Sequence, residues 1–420
     1  MSLRPLSRFV FGLALFCAAG PVFGQATDKD EIIQKLLERV DALEREVAAL
    51  EKAQVQPATA ASQPAPQPAV ENAAVENTTP AAADIAAGAD NASRFTFHGY
   101  ADAGFLRNED GDSTKKFALG EIDLFATGRI SPHFSALMEV ALETDSQQLV
   151  ADVPINVERL LLQYRGNDFF NADIGSYRTA IGYYSTAYLR GSWLQTAISR
   201  PKMFTFEDEG GFLPLHAVGV STNGKIPSGD LNLHYVLEVG SSRNYGDTAG
   251  LPLASSFNSA TNLAIFSQPR SVPGLDLGFS AYHDQYSPLA GALLPRSVWM
   301  VHVVYVNGRL EFLNEGLRIG EREREGSLGS GVGLGFYSQI AYRMASSWRP
   351  YARVEYLNVY GNGVLGTPIL RQYVPWETVF TGGIRYDLTE NVALKAEMGR
   401  ESDYMRPSFI SSAIQLAFTF

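Results

Sequence analysis

The chain has a single cysteine, Cys17, in 420 residues. That excludes a disulfide framework, a cysteine-based zinc site and an iron–sulfur cluster. Charge is sparse as well. Asp, Glu, Lys and Arg make up 19% of the chain, below the roughly 25% of an average soluble domain. The net charge is −11 and no basic block interrupts it, which argues against a nucleic-acid partner. Beyond Gln25 no apolar run approaches the ~18–20 residues of a membrane helix. A helical membrane protein is thereby excluded. A membrane barrel is not, because its strands alternate between apolar and polar residues. The six histidines are scattered and form no H-E-x-x-H pattern. Asn108, Asp110 and Asp112 imitate part of a calcium loop, but Ser113 stands where the turn needs glycine. Neither a metal nor a cofactor is expected.

Arg4 and Arg8 flank an apolar stretch from Phe9 to Ala19, followed by small residues before Gln25. This predicts a secretory signal peptide over 1–24. Over 25–53 the pattern changes to heptads. Ile33, Val40 and Val47 take a positions, and Leu36, Leu43 and Leu50 take d positions, the pattern of a coiled coil whose helix over 28–53 would be about 39 Å long. β-branched a residues with leucine at d lean towards two strands. Arg39-Val40-Asp41-Ala42-Leu43-Glu44 resembles instead the trimerisation signature of short coiled coils, and three strands are the expectation here. Residues 54–93 are rich in Ala, Pro, Gln and Asn, lack aromatics and read as a disordered linker.

From Phe95 to Phe420 the chain alternates, and 94–420 reads as one domain. Sixteen stretches of roughly ten residues alternate apolar with polar or small side chains. Short turns such as Ser131-Pro132-His133 and Asn307-Gly308 take turns with longer polar loops. Asn307-Gly308 predicts a hairpin with positive φ at both residues. Short turns at one rim and long loops at the other predict a sixteen-stranded antiparallel transmembrane β-barrel, all-β apart from the N-terminal helix. Because the strand count is even, both ends of the domain belong at the short-turn rim. Charge parity assigns the faces. Trp299, Val301, Val303 and Tyr305 should meet lipid, as should Leu394, Ala396 and Met398, while His302, Lys395 and Glu397 face in. Sixteen strands are expected to enclose water rather than a packed interior. The last strand has Ile414, Leu416, Phe418 and Phe420 on one face, and a terminal phenylalanine in this setting resembles the signal read by the outer-membrane barrel assembly machinery.

Several further segments carry a family resemblance. They are Phe97-His98-Gly99-Tyr100, Ile174-Gly175-Ser176-Tyr177-Arg178, Ile181-Gly182-Tyr183-Tyr184, Ser199-Arg200-Pro201 and Val218-Gly219-Val220, with the heptads before them and Phe420 behind. With these the chain resembles the trimeric sixteen-stranded porins of Gram-negative bacteria, and most of all the phosphate-selective porin O/P group and its coiled-coil-tethered relatives. The resemblance implies a homotrimer in outer-membrane lipid, with the coiled coil in the periplasm. It also implies a third external loop folded into the lumen. Here that is loop 179–216, the longest, carrying Arg190, Arg200, Lys202, Glu207, Asp208 and Glu209. Lysines are fewer than phosphate selectivity in that group would lead one to expect.

At inward parity lie Arg129, Arg159, Arg353 and Arg385, with Glu121 and Asp123 among the acids. Wall arginines opposite an acidic loop would set a transverse field that orients polar solutes and fixes ion preference. The expected function is passive diffusion of small hydrophilic solutes, anions among them, without catalysis. Two other readings suit a barrel: a structural or adhesive barrel whose loops bind a surface partner, and an outer-membrane hydrolase.

Overall fold

The computed structural model describes residues 95–108, 115–143, 155–206, 211, 213–242, 259–286, 294–322, 330–344, 347–361, 376–403 and 408–420. The expected signal peptide, coiled coil and linker lie outside these residues, as do Glu207, Asp208 and Glu209.

Sixteen strands follow one another: β1 (Phe95–Asn108), β2 (Lys115–Arg129), β3 (Phe134–Glu143), β4 (Ile155–Asn167), β5 (Phe170–Arg178), β6 (His216–Ile226), β7 (Leu233–Ser242) and β8 (Ser259–Ser267). They continue as β9 (Leu275–Tyr286), β10 (Leu294–Val306), β11 (Leu310–Arg322), β12 (Ser330–Tyr342), β13 (Trp348–Gly361), β14 (Trp376–Asp387), β15 (Val392–Asp403) and β16 (Phe409–Thr419). Each pairs with its sequence neighbour, and β1 pairs antiparallel with β16, so the sheet closes into a barrel. Every strand read from the alternation is present, with ends moved by a few residues. At the seam, Gly99 N donates to Phe420 O at 2.8 Å and Phe420 N donates to Gly99 O at 3.0 Å. A Cβ on Gly99 would lie 2.7 Å from Phe420 Cζ, so the glycine makes room for the terminal ring.

The Asn307-Gly308 hairpin exists, but not with the expected backbone. Neither residue has positive φ. Instead the Asn307 side chain closes the turn, its Oδ1 accepting from Arg309 N at 2.9 Å and Leu310 N at 2.7 Å. Asparagine can supply that turn hydrogen bond itself, which removes the need for a left-handed pair.

Faces follow the two-residue period. Val301 is 55% exposed, Phe380 59% and Ile414 53%, while their neighbours Met300, Val379 and Gln415 are buried inside. An apolar band this continuous needs an apolar solvent. Phe134 packs on Tyr164 and Trp348 on Tyr386, with ring centroids 5.2 and 4.4 Å apart, at the short-turn rim. Aromatics at this height form an interfacial girdle. Among the described residues no helix is long and apolar enough to cross a membrane; the strands carry the apolar band.

The interior corrects one expectation. It is not free of packing. Ile181, Tyr184, Leu189, Met203, Phe204, Leu213 and Leu215 of the loop after β5 form one buried cluster with inward residues of β9 to β13, including Val298, Met300, Leu313, Leu317 and Tyr337. The wall there is apolar on its inner side as well, which strand count alone does not reveal.

Candidate functional site

The loop between β5 and β6 is fastened to the inner wall by a consistent chemistry: wall carboxylates accept its amides, and wall cations donate to its carbonyls. Its base closes where Thr179 N donates to Leu215 O at 2.9 Å. Ala180 N then donates to the Glu238 carboxylate on β7, at 3.1 Å to Oε2. A short helix, α1 (Gly182–Ala187), follows. The amides of Tyr183 and Tyr184 in its first turn donate to Glu315 on β11 at 2.6 and 2.8 Å. These first-turn amides have no partner within the helix, and a carboxylate supplies one. Gly182 has φ +75°, and a Cβ there would collide with the Glu315 carboxylate.

Further along, Arg190 pairs with Glu121 on β2 and with Glu158 on β4, the latter at 3.0 Å. Gly191 N donates to Asp123 on β2 at 3.1 Å. Arg385 on β14 donates to the carbonyls of Trp193 and Gln195 at 2.5 and 3.0 Å. Lys395 on β15 donates to those of Ser192 and Ala197 at 2.5 and 3.2 Å. The amides of Ile198 and Ser199 donate to Glu397 on β15 at 2.9 and 3.1 Å. Arg353 on β13 grips Ser199 through its carbonyl at 2.8 Å and its hydroxyl at 2.6 Å. Lys202 donates its backbone amide to Glu355 at 2.6 Å and sets its ammonium between Glu377 and Glu401, at 3.2 and 2.9 Å. Hydrogen bonds with one ionised partner are the strong class, and these come from strands around much of the ring.

Electrostatics of the loop follow from this enclosure. Burial acts to lower the Lys202 pKa, but Glu377 and Glu401 outweigh it and the value ends up raised. Burial pushes the Tyr184 phenol well above its ordinary value, so it stays neutral. Its hydroxyl donates to Gln195 Oε1 at 2.9 Å. Arg190 and Arg200 both lie over the Phe206 ring, 3.9 and 3.5 Å from its centroid.

The structure places the sequence-read residues in two groups. Glu121, Asp123, Arg190, Arg200, Lys202, Arg353 and Arg385 all touch or belong to the loop. Arg159 faces inward but pairs with Glu139, which also binds Arg178. Arg129 ends β2, exposed at the short-turn rim. Sequence reasoning passed over Glu158, Glu238, Glu315, Glu377 and Glu401. Glu315 lies four residues beyond Glu311 on the same face, so parity alone would have found it. Among the described residues no group of His, Cys, Asp or Glu is placed to hold a metal ion.

Below the loop, at the short-turn rim, a cavity of about 320 Å³ is lined by Tyr183, Asn232, Gln268, Arg270, Asp276 and Val306. It is large enough for about ten waters, and its lining mixes polar and apolar groups.

No protein-family model and no curated protein matches the chain. Solved structures do. An anion-selective porin from Comamonas acidovorans aligns with a TM-score of 0.55 at 11% identity, over 78% of this chain and 99% of that one. OmpF of Salmonella typhi, in complex with daunomycin, aligns at 0.54 and 10%, over 78% and 97%. The trimer form of OmpT, an outer membrane protein of Vibrio cholerae, aligns at 0.53 and 13%, over 78% and 99%. At such identities the likeness establishes the fold, a closed sixteen-stranded barrel of the porin type.

Proposed function

We propose that this protein is an outer-membrane porin that lets small hydrophilic solutes diffuse through the barrel, past loop 179–216 held across the lumen. The observation that carries this reading is the pair of opposed faces: an apolar outer band, and an inner wall whose charged groups hold an inserted loop. Anions are included among the solutes because the chain resembles the phosphate-selective group; Arg159, Arg353 and Arg385 stand on the inner wall, each paired there with a carboxylate, Glu139, Glu355 and Asp387. Glu207, Asp208 and Glu209 would supply the opposing charge. In the same proposal the chain is exported by its first 24 residues, inserted through a signal that includes Phe420, and assembled as a trimer with the 25–53 coiled coil in the periplasm.

One observation favours a rival. The loop buries its apolar side chains against β9 to β13, as it would in a plugged barrel whose exterior loops bind a partner. Liposome swelling separates the two. Vesicles carrying the purified protein should swell in small sugars, dicarboxylates and phosphate, at rates that fall with solute size. Swelling no faster than in empty vesicles would favour the plugged barrel.

A further inference from the structure

We propose that the outer face of β10 to β13 holds a phosphate-bearing lipid, one acyl chain in a groove and the headgroup on Arg318. The groove, of about 440 Å³, is lined by Trp299, Val301, Leu334, Phe336 and Tyr356. Gly316 stands at an outward position in its floor, where any side chain would fill it. Its rim holds Arg318, an exposed cation beside the apolar side chains of the groove.

Acidic charge on these strands is confined to the inner side of the barrel. The carboxylates of β9 to β13 are Asp276, Asp284, Glu311, Glu315, Glu321 and Glu355, and all six are buried on the inner side. Arg318 and Arg322 point outward. Among the described residues the outer face of these strands offers Arg318 no carboxylate, and in this proposal the anion of a lipid headgroup completes the site. Position agrees with this. Arg318 lies four residues from the long-loop end of β11, about 13 Å along the strand. Its side chain runs over Gly320, with Nη1 3.7 Å from where a Cβ would sit. A bare glycine thus gives the long side chain a path towards the rim, where headgroups lie. The groove beside it then takes the chain of the same lipid. This inference rests on the membrane reading of the outer face and not on the channel being open.

Trp299 in the groove wall provides the readout. The full chain is reconstituted in phosphatidylcholine vesicles doped with phosphatidylglycerol or phosphatidylcholine carrying the same brominated acyl chains, which quench tryptophan on contact. The Trp299 signal is the difference from Trp299→Phe. Brominated phosphatidylglycerol should quench Trp299 at about fivefold lower mole fraction than brominated phosphatidylcholine, and Arg318→Gln should remove that preference. Solute swelling by Arg318→Gln should be unchanged, since the side chain is outside the lumen. Equal quenching by the two lipids would overturn the proposal. So would no quenching by either, which would mean that a second copy of the chain covers the groove. Should Arg318→Gln fail to fold, the two lipids compared on the unaltered protein still decide.

Discussion

Glu397 is where the attachment of the loop can be weakened with least disturbance to the barrel. Its carboxylate accepts the amides of Ile198 and Ser199 and the hydroxyl of Tyr351, the last at 2.7 Å. Glu397→Gln keeps the shape but removes the charge, and it turns one acceptor oxygen into an NH₂ group. A hydrogen bond to a charged group contributes about 1.5–3 kcal/mol and a neutral one about 0.5–1.5 kcal/mol. Two amide bonds weakened in this way should lower the free energy of local opening by about 2 kcal/mol once partial exposure of the site is allowed for. That is about a thirtyfold increase in the open population. Hydrogen exchange of the peptide containing Ile198 and Ser199, measured by mass spectrometry in micelles, should accelerate by that factor. Glu390→Gln, at the exposed turn between β14 and β15, should change nothing in the same peptide. Protection at Ile198 and Ser199 that is the same in both variants would refute the idea that wall carboxylates hold the loop.

Other consequences concern the backbone, pH and assembly. Gly175 has φ +134°, and a Cβ there would collide with Leu160 O across the β4–β5 pair. Gly175→Ala should cost several kcal/mol, about 2–4, and should show as a lower unfolding temperature on heat-modifiability gels. Lys202 has its pKa raised above the usual 10.5. Its tether is therefore fully present below 10.5 and is lost only as pH rises through the higher folded value, whereas Lys202→Met lacks it at every pH. Channel noise in the parent should resemble that of Lys202→Met only in strong alkali; a match already at neutral pH would contradict the tether. Deleting 28–53 should weaken the proposed trimer on unheated gels, and trimers of undiminished strength would assign assembly to the barrel walls alone.

Much of the barrel could be read from the sequence because a strand in such a sheet carries its environment in alternate positions. Trp299 and Met300, or Leu394 and Lys395, are adjacent in sequence and opposite in surroundings. The long loop stood out by its length. Its fastening did not. The acceptors on the wall bind backbone amides, which every residue but proline offers, so no residue type in the loop marks Glu315 or Glu397 as its partner. The expected pairing was of arginines with acidic loop residues. Glu207, Asp208 and Glu209 lie outside the described residues, and among those described Arg353 and Arg385 have loop carbonyls and the neighbouring Glu355 and Asp387 as partners. The inner apolar patch on β10 and β11 was hidden for a related reason. Val298 and Met300, or Leu313 and Leu317, read as neutral members of an inward face until the loop residues that cover them are in place.

Single-channel recording of the purified, unaltered protein in a planar lipid bilayer tests the central claim most directly. A barrel enclosing a water path beside a fastened loop should insert in discrete conductance steps of uniform size that scale with salt concentration. Protein that is demonstrably folded and inserted, yet leaves the bilayer silent, would contradict it.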